Sequence, residues 1–185
     1  MWCGSKYVMS RTVPENDVLI GVARWLWTEK RVWPVNFSIA QGQGIDAAES
    51  KRRLEAAMAS LEAPEGVAEF RFYSSKGPDI TGVSGDEIWQ IECKGIGAGK
   101  DATHRNNFDR ALASTVSYYE DHVDGWPNQK PIIGLALPDA PIFRRLLKSK
   151  VRGSLRRRLN LWVLLFNRND HAITPIEPIV DFDAK

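Results

Sequence analysis

The chain has 185 residues, 43% of them hydrophobic and 26% charged, with 14 Gly and 10 Pro; this fits one globular unit around one core and excludes a disordered, collagen-like or low-complexity chain. The formal net charge is +2, yet residues 144–158 carry eight basic side chains and no acidic one, against 17 basic and 23 acidic residues elsewhere. Such a concentration points to a polyanionic partner, with a solvated helix face or an acidic protein surface as the alternatives. The longest wholly apolar run, Leu161–Phe166, is far too short to cross a bilayer, and the first residues lack the apolar stretch of a signal peptide. A soluble, cytoplasmic protein with no membrane contact is expected. Cys3 and Cys93 form no CxxC pair, so any metal would have oxygen or histidine ligands.

The spacing of Leu19, Val22, Ala23 and Leu26 predicts a helix from Glu15 to Lys30, opened by Pro14 and broadened by Ile20, Trp25 and Trp27. Residues 32–39 are rich in β-branched and aromatic side chains and read as a strand, where Pro34 suggests an edge or the first residues. After a Gln41-Gly42-Gln43-Gly44 turn, Asp46 is placed to cap a helix with Glu49 three residues on. Its buried stripe is Leu54, Ala57, Met58 and Leu61, and Pro64 and Gly66 end it. Residues 67–73 form a second strand. Beyond Pro78-Asp79, a Ser84-Gly85-Asp86 turn joins the arms of a hairpin. From 87 to 94, Trp89, Ile91 and Cys93 alternate with Ile88, Gln90, Glu92 and Lys94, which predicts one oily face.

A glycine-bearing connector at 95–99 leads to a helix at 103–122, with Phe108, Leu112, Thr115, Val116 and Tyr119 turned inward. Residues 131–137 and 159–166 are short apolar runs, as expected of strands buried on both faces. The basic segment between them is expected to be helical over 141–151, with Gly153 interrupting it. The order predicts an α/β three-layer sandwich, a mixed sheet flanked by helices. The whole of 1–185 is read as one unit, with a basic helical segment at 141–158 and a C-terminal edge extension at 167–185.

Glu92 and Lys94 are two apart on a strand and project from one face, while Cys93 points to the other. Asp79, on the opposite arm, comes beside them when the strands pair in register. Two carboxylates a few ångströms apart repel unless a cation joins them, and Mg2+, with Mn2+ as a substitute, prefers such oxygen ligands with waters completing its shell. Lys94 would then orient or help deprotonate an attacking water and steady the charge growing on a phosphate, while the metal supplies Lewis acidity.

Pro78-Asp79 with Ile91-Glu92-Cys93-Lys94-Gly95 resembles the motif of the PD-(D/E)XK, or restriction-endonuclease-like, nuclease superfamily. The element order over residues 15–137 is similar too: a core helix, a three-strand meander, a crossover helix and a further strand. The resemblance implies a restriction-endonuclease-like core, Asp79 and Glu92 as magnesium ligands, the Cys93 backbone carbonyl as a further ligand and Lys94 as the catalytic lysine. It also implies a carboxylate from the first core helix, for which Glu15 is the first choice, Asp17 the second and Glu29 the third. Two other acidic-x-Lys triplets fit poorly: Glu49-Ser50-Lys51 lies on a predicted helix and Asp183-Ala184-Lys185 at the chain end. The plainer alternative is an edge-strand pair, Glu92 and Lys94 merely keeping a hairpin soluble.

Other motifs carry less. Gly97-Ala98-Gly99-Lys100 is not a Walker loop, which needs glycine at 94 and Ser or Thr at 101. His104, His122 and His171 have no ligand spacing, and those flanking the helix are assigned to capping or solvent exposure. No GxSxG elbow occurs. The tryptophans read as core, with Trp126 beside Pro127 the candidate for base stacking; Asn106, Asn107 and Arg110 are candidates for phosphate contact. The expected activity is magnesium-dependent hydrolysis of phosphodiester bonds, in DNA before RNA. Arg144, Arg145, Lys148, Lys150, Arg152, Arg156, Arg157 and Arg158 would hold the backbone. The alternative is a docking module on the same fold, either non-catalytic or switched on by a partner in a larger restriction, repair or defence assembly. A homodimer is compatible with both.

Overall fold

The computed structural model describes residues 12–39, 46–65, 70–73 and 77–179. The 41–44 turn, the first part of the 67–73 strand, and the Asp183-Ala184-Lys185 triplet lie outside them. Helix α1 spans Glu15–Lys30 as predicted, preceded by Pro14 and released through Arg31 at φ 56°. It is followed by β1 (Trp33–Ser38), α2 (Ala47–Ala59), β2 (Arg71–Tyr73), β3 (Ile80–Val83), β4 (Glu87–Cys93) and α3 (Asp101–Ser117). The chain continues through β5 (Lys130–Pro138), α4 (Pro141–Lys150), α5 (Gly153–Leu159), β6 (Leu161–Phe166) and β7 (Ile173–Ile176). Asp46 caps α2 by accepting from the amides of Ala48 and Glu49.

The strands make one mixed seven-stranded sheet in the order β2-β1-β3-β4-β5-β6-β7. β1/β2, β4/β5 and β5/β6 are parallel; the rest are antiparallel. Side-chain alternation along β4 sorts the two faces. Trp89 packs edge-on against Trp25 of α1, their rings 5.9 Å apart, and lies 5.1 Å from Trp162 of β6. The even-numbered residues turn the other way, where Tyr118, just past α3, meets Glu92. Helices therefore cover both faces: α1 and α2 pack together on one, and α3 and α4 meet on the other through Phe108 and Phe143. The α/β class with a mixed sheet is as the element order predicts.

Four expectations give way to tertiary context. Of the two readings of Pro34, the edge gives way and the strand start holds: β1 is second in the sheet, and Pro34 is its second residue, at a register shift between residues 34 and 36. β4 does not have one oily face, since Ile88 and Glu92 are buried along with Trp89 and Ile91. Its place as the middle strand of seven covers both sides. α3 ends at Ser117 rather than 122 and buries His104, Phe108, Ala111 and Thr115. Val116 and Tyr119 are left exposed, and His104 is a core residue rather than a cap. Finally, the basic segment is helical over Pro141–Lys150, close to the expected 141–151, but the break falls at Val151 and Arg152, and Gly153 opens a second helix rather than interrupting the first.

Candidate active site

The hairpin register brings the carboxylates together. Ile80 pairs with Ile91, so Asp79 falls opposite Glu92. Asp79 is held from two directions: its Oδ2 accepts the Cys93 amide at 2.7 Å, and its carbonyl accepts the Ser38 amide at 2.9 Å. Lys94 follows immediately on β4, and its amide is tied to the Ala136 carbonyl of β5 at 3.0 Å. Lys94 Nζ stands 3.0 Å from Glu92 Oε1, 3.4 Å from Glu15 Oε2 and 4.0 Å from Asp79 Oδ2.

Glu15 reaches this point because the chain ahead of α1 is fastened to the segment after Lys94. Val13 and Ile96 exchange both backbone hydrogen bonds, at 2.7 and 2.9 Å. Between them, a Cβ on Gly95 would sit 2.5 Å from the Val13 carbonyl oxygen and 2.6 Å from the Glu15 amide nitrogen. Only glycine permits this approach. The other first-helix candidates are placed elsewhere. Asp17 is ion-paired at 2.6 Å with Arg53 of α2, and Glu29 is exposed in the last turn, about 20 Å along the helix from Glu15.

Tyr118 is the residue the sequence did not reveal. Its hydroxyl donates to Glu92 Oε2 at 2.8 Å and lies 3.0 Å from the Gly77 carbonyl. Glu92 thus has Lys94 on one oxygen and Tyr118 on the other. A helix read as continuing to 122 hides the turn that swings Tyr118 inward, and no motif marks it.

Electrostatics follow from crowding and burial. Asp79 and Glu92 are only 8% and 6% exposed. Burial, then the neighbouring Glu92, pushes the Asp79 carboxyl up to about 8, against the smaller opposing pull of Lys94 and the Cys93 amide. Burial works against the Lys94 ammonium, but Asp79, Glu15 and Glu92 together outweigh it and hold its pKa above the ordinary lysine value. Tyr118 is pushed up by burial and by its bond to Glu92, so it stays a hydrogen-bond donor. The Cys93 thiol, buried on the opposite face, is pushed up by desolvation first and then by Asp79. Its side chain remains a neutral core group.

The basic residues do not form one surface. Arg156 is completely buried, and its Nη1 donates to the Glu177 carbonyl at 2.6 Å. It pins α5 to the chain after β7, which corrects its assignment to backbone binding. Arg144 pairs with Asp139 through two nitrogens, Arg145 with Asp101 at 3.3 Å and Lys150 with Asp109. Asp139 follows β5 at the end of the sheet that holds Lys94. Leu161, three residues after Arg158, is level with Gln90 through Ile133, so Arg157 and Arg158 lie toward the other end. Arg152, Arg157 and Arg158 are exposed, as is Lys148. Of the lesser candidates, Asn106 and Arg110 are exposed on α3, and Trp126 is half-buried in a turn bridged to Val123.

Comparison of the chain with protein-family models, curated proteins and solved structures finds no match. No helix among the described residues is long and apolar enough to cross a membrane.

Proposed function

We propose that the protein is a metal-dependent nuclease with a restriction-endonuclease-like core, acting on nucleic acid and DNA first, in the cytoplasm. One observation carries the reading: Glu15, Asp79 and Glu92 converge on Lys94 Nζ at the end of the central strand. A solubilising pair on an edge strand would be exposed. Asp79 and Glu92 are buried, the first held by the Cys93 amide and the second by the Tyr118 hydroxyl.

The donor chemistry fits Mg2+ or Mn2+. Among the described residues, no three His, Cys, Asp or Glu side chains form a ready cage. Magnesium does not require one, since it is held by one or two carboxylates and keeps several waters. Asp79 and Glu92 would supply the carboxylate oxygens and the Cys93 carbonyl a further one. Three carboxyl groups, those of Glu15, Asp79 and Glu92, share the one ammonium of Lys94. A bound dication would supply Lewis acidity and a more acidic water. Lys94 then orients the attacking water and steadies charge on the phosphate, Glu15 holds the ammonium in place, and Tyr118 fixes the orientation of Glu92.

The test is cleavage of linear, circular and single-stranded DNA and of RNA with Mg2+ or Mn2+, with Asp79→Ala and Glu92→Ala alongside. Metal-dependent cutting by the wild type, lost in both variants, is expected. Salt-sensitive binding with no cutting would overturn the reading in favour of a docking module.

A further inference from the structure

The face of the sheet that bears Asp79 and Glu92 continues past them to the β2 edge. Phe72 of β2 turns toward α2: its ring stacks on Phe37 at 5.9 Å and lies 5.0 Å from Lys51 Nζ. On β3, a Cβ at Gly82 would meet Val32 and Leu26, so Gly82 and Ile80 face α1. By alternation, Arg71, Tyr73, Ser38, Thr81 and Asp79 face the other way, with Glu92. Ser38 aligns with Tyr73 in the parallel pair, and its amide bonds the Asp79 carbonyl. Tyr73, Ser38, Asp79 and Glu92 therefore form one row across four adjacent strands, with Tyr73 about 10 Å from Asp79.

Among the described residues, this part of the face is exposed to solvent. α3 packs on β4 and β5, while Tyr73 is 41% exposed, Arg71 is exposed, and Ser38 and Thr81 are half-exposed. A lone ring and a cation on a hydroxyl-bearing surface do not make the apolar patch of a protein interface. They match a nucleotide strand whose bases are free to stack and whose phosphates need a counter-charge. Within a duplex the bases are already stacked on one another, so the ring selects unpaired ones.

We infer that the exposed face of β2, β1 and β3 guides a single-stranded polynucleotide to the carboxylates, Tyr73 stacking an unpaired base and Arg71 holding a phosphate. This deepens the nuclease reading and rests on it for the destination of the strand. The test measures binding of labelled single-stranded and duplex DNA by fluorescence anisotropy over a salt series, in a Lys94→Ala background where turnover is removed. Tyr73→Ala is expected to weaken single-strand binding about ten-fold and leave duplex binding unchanged. Tyr73→Phe keeps the ring and the affinity. Arg71→Gln is expected to flatten the single-strand salt slope by about 0.7. Unchanged binding by Tyr73→Ala, or equal losses on single strand and duplex, would overturn the inference. Cleavage with Lys94 restored separates the two readings. A chain that cuts single strands equally well with Tyr73→Ala loses the platform and keeps the nuclease. One that never cuts, yet binds single strands through Tyr73, keeps the platform and loses the nuclease.

Discussion

Glu15, Asp79 and the Glu92–Lys94 pair come from three separated stretches of sequence, and each carboxylate comes within 4.0 Å of Lys94 Nζ, whereas the basic residues from Arg144 to Arg158 are neighbours in sequence and the fold disperses them. The carboxylate cluster sits on strands and a helix start whose positions are set by ladder hydrogen bonds, so its geometry is held by backbone. The basic segment lies on two helices that rotate successive residues to different sides: one arginine enters the core, three cations pair with acidic neighbours, and others face solvent. Charge density in sequence is thus a poor measure of surface potential, because helical rotation and local ion pairs redistribute it.

The comparison breaks most sharply at Lys94. Lys94→Ala is expected to lower single-turnover cleavage by about 10³-fold while leaving substrate binding largely intact. Equal rates for variant and wild type would remove it from the reaction. Asp79 gives the next effect, in stability. Its carboxyl rises from 3.8 to about 8 on folding, so the folded chain keeps a proton that the unfolded chain releases. In EDTA, stability contributed by this group is complete below pH about 4 and lost as pH rises to about 8. Asp79→Asn should flatten that fall and be the more stable form above pH 8, as read from urea midpoints at pH 5 and 9.

Tyr118→Phe sharpens the role of a positioning residue. Removing the hydroxyl frees Glu92 Oε2 and should raise the Mg2+ concentration needed for half-maximal cleavage by about 10- to 100-fold, with cleavage recovering at saturating metal. An unchanged metal dependence would make Tyr118 a packing residue only. The remaining effects divide the basic segment. Arg156→Ala should lose about 3 kcal/mol of stability without changing the salt slope of DNA binding. Arg157→Gln with Arg158→Gln should leave stability within about 0.5 kcal/mol and flatten the slope by about 1.8. A flattened slope in the folded Arg156 variant would contradict its buried position.

Much of this was legible locally. The α1 boundaries follow from Pro14 and the 3.6-residue stripe, the Asp46 cap from its side-chain oxygen, and the hairpin from its turn and alternation. Glu92 and Lys94 share a side because strand alternation has period two, a property of the backbone alone. Gly95 could be noticed as following the lysine, but its reason, the close pass of Val13 and Glu15, belongs to a contact between segments far apart in sequence.

What the sequence by itself determined is the type and order of the elements from α1 to β6, α5 excepted, and the pairing of the two arms that carry Asp79 and Glu92, since local torsional preference and short-range hydrogen bonding suffice for these. The tertiary structure decided the rest. It put β4 at the centre of the sheet, brought Glu15 rather than Asp17 or Glu29 to Lys94, turned Tyr118 onto Glu92, buried Arg156 and left Tyr73 exposed. Burial and proximity between distant segments depend on how all the elements pack together, which no local pattern encodes.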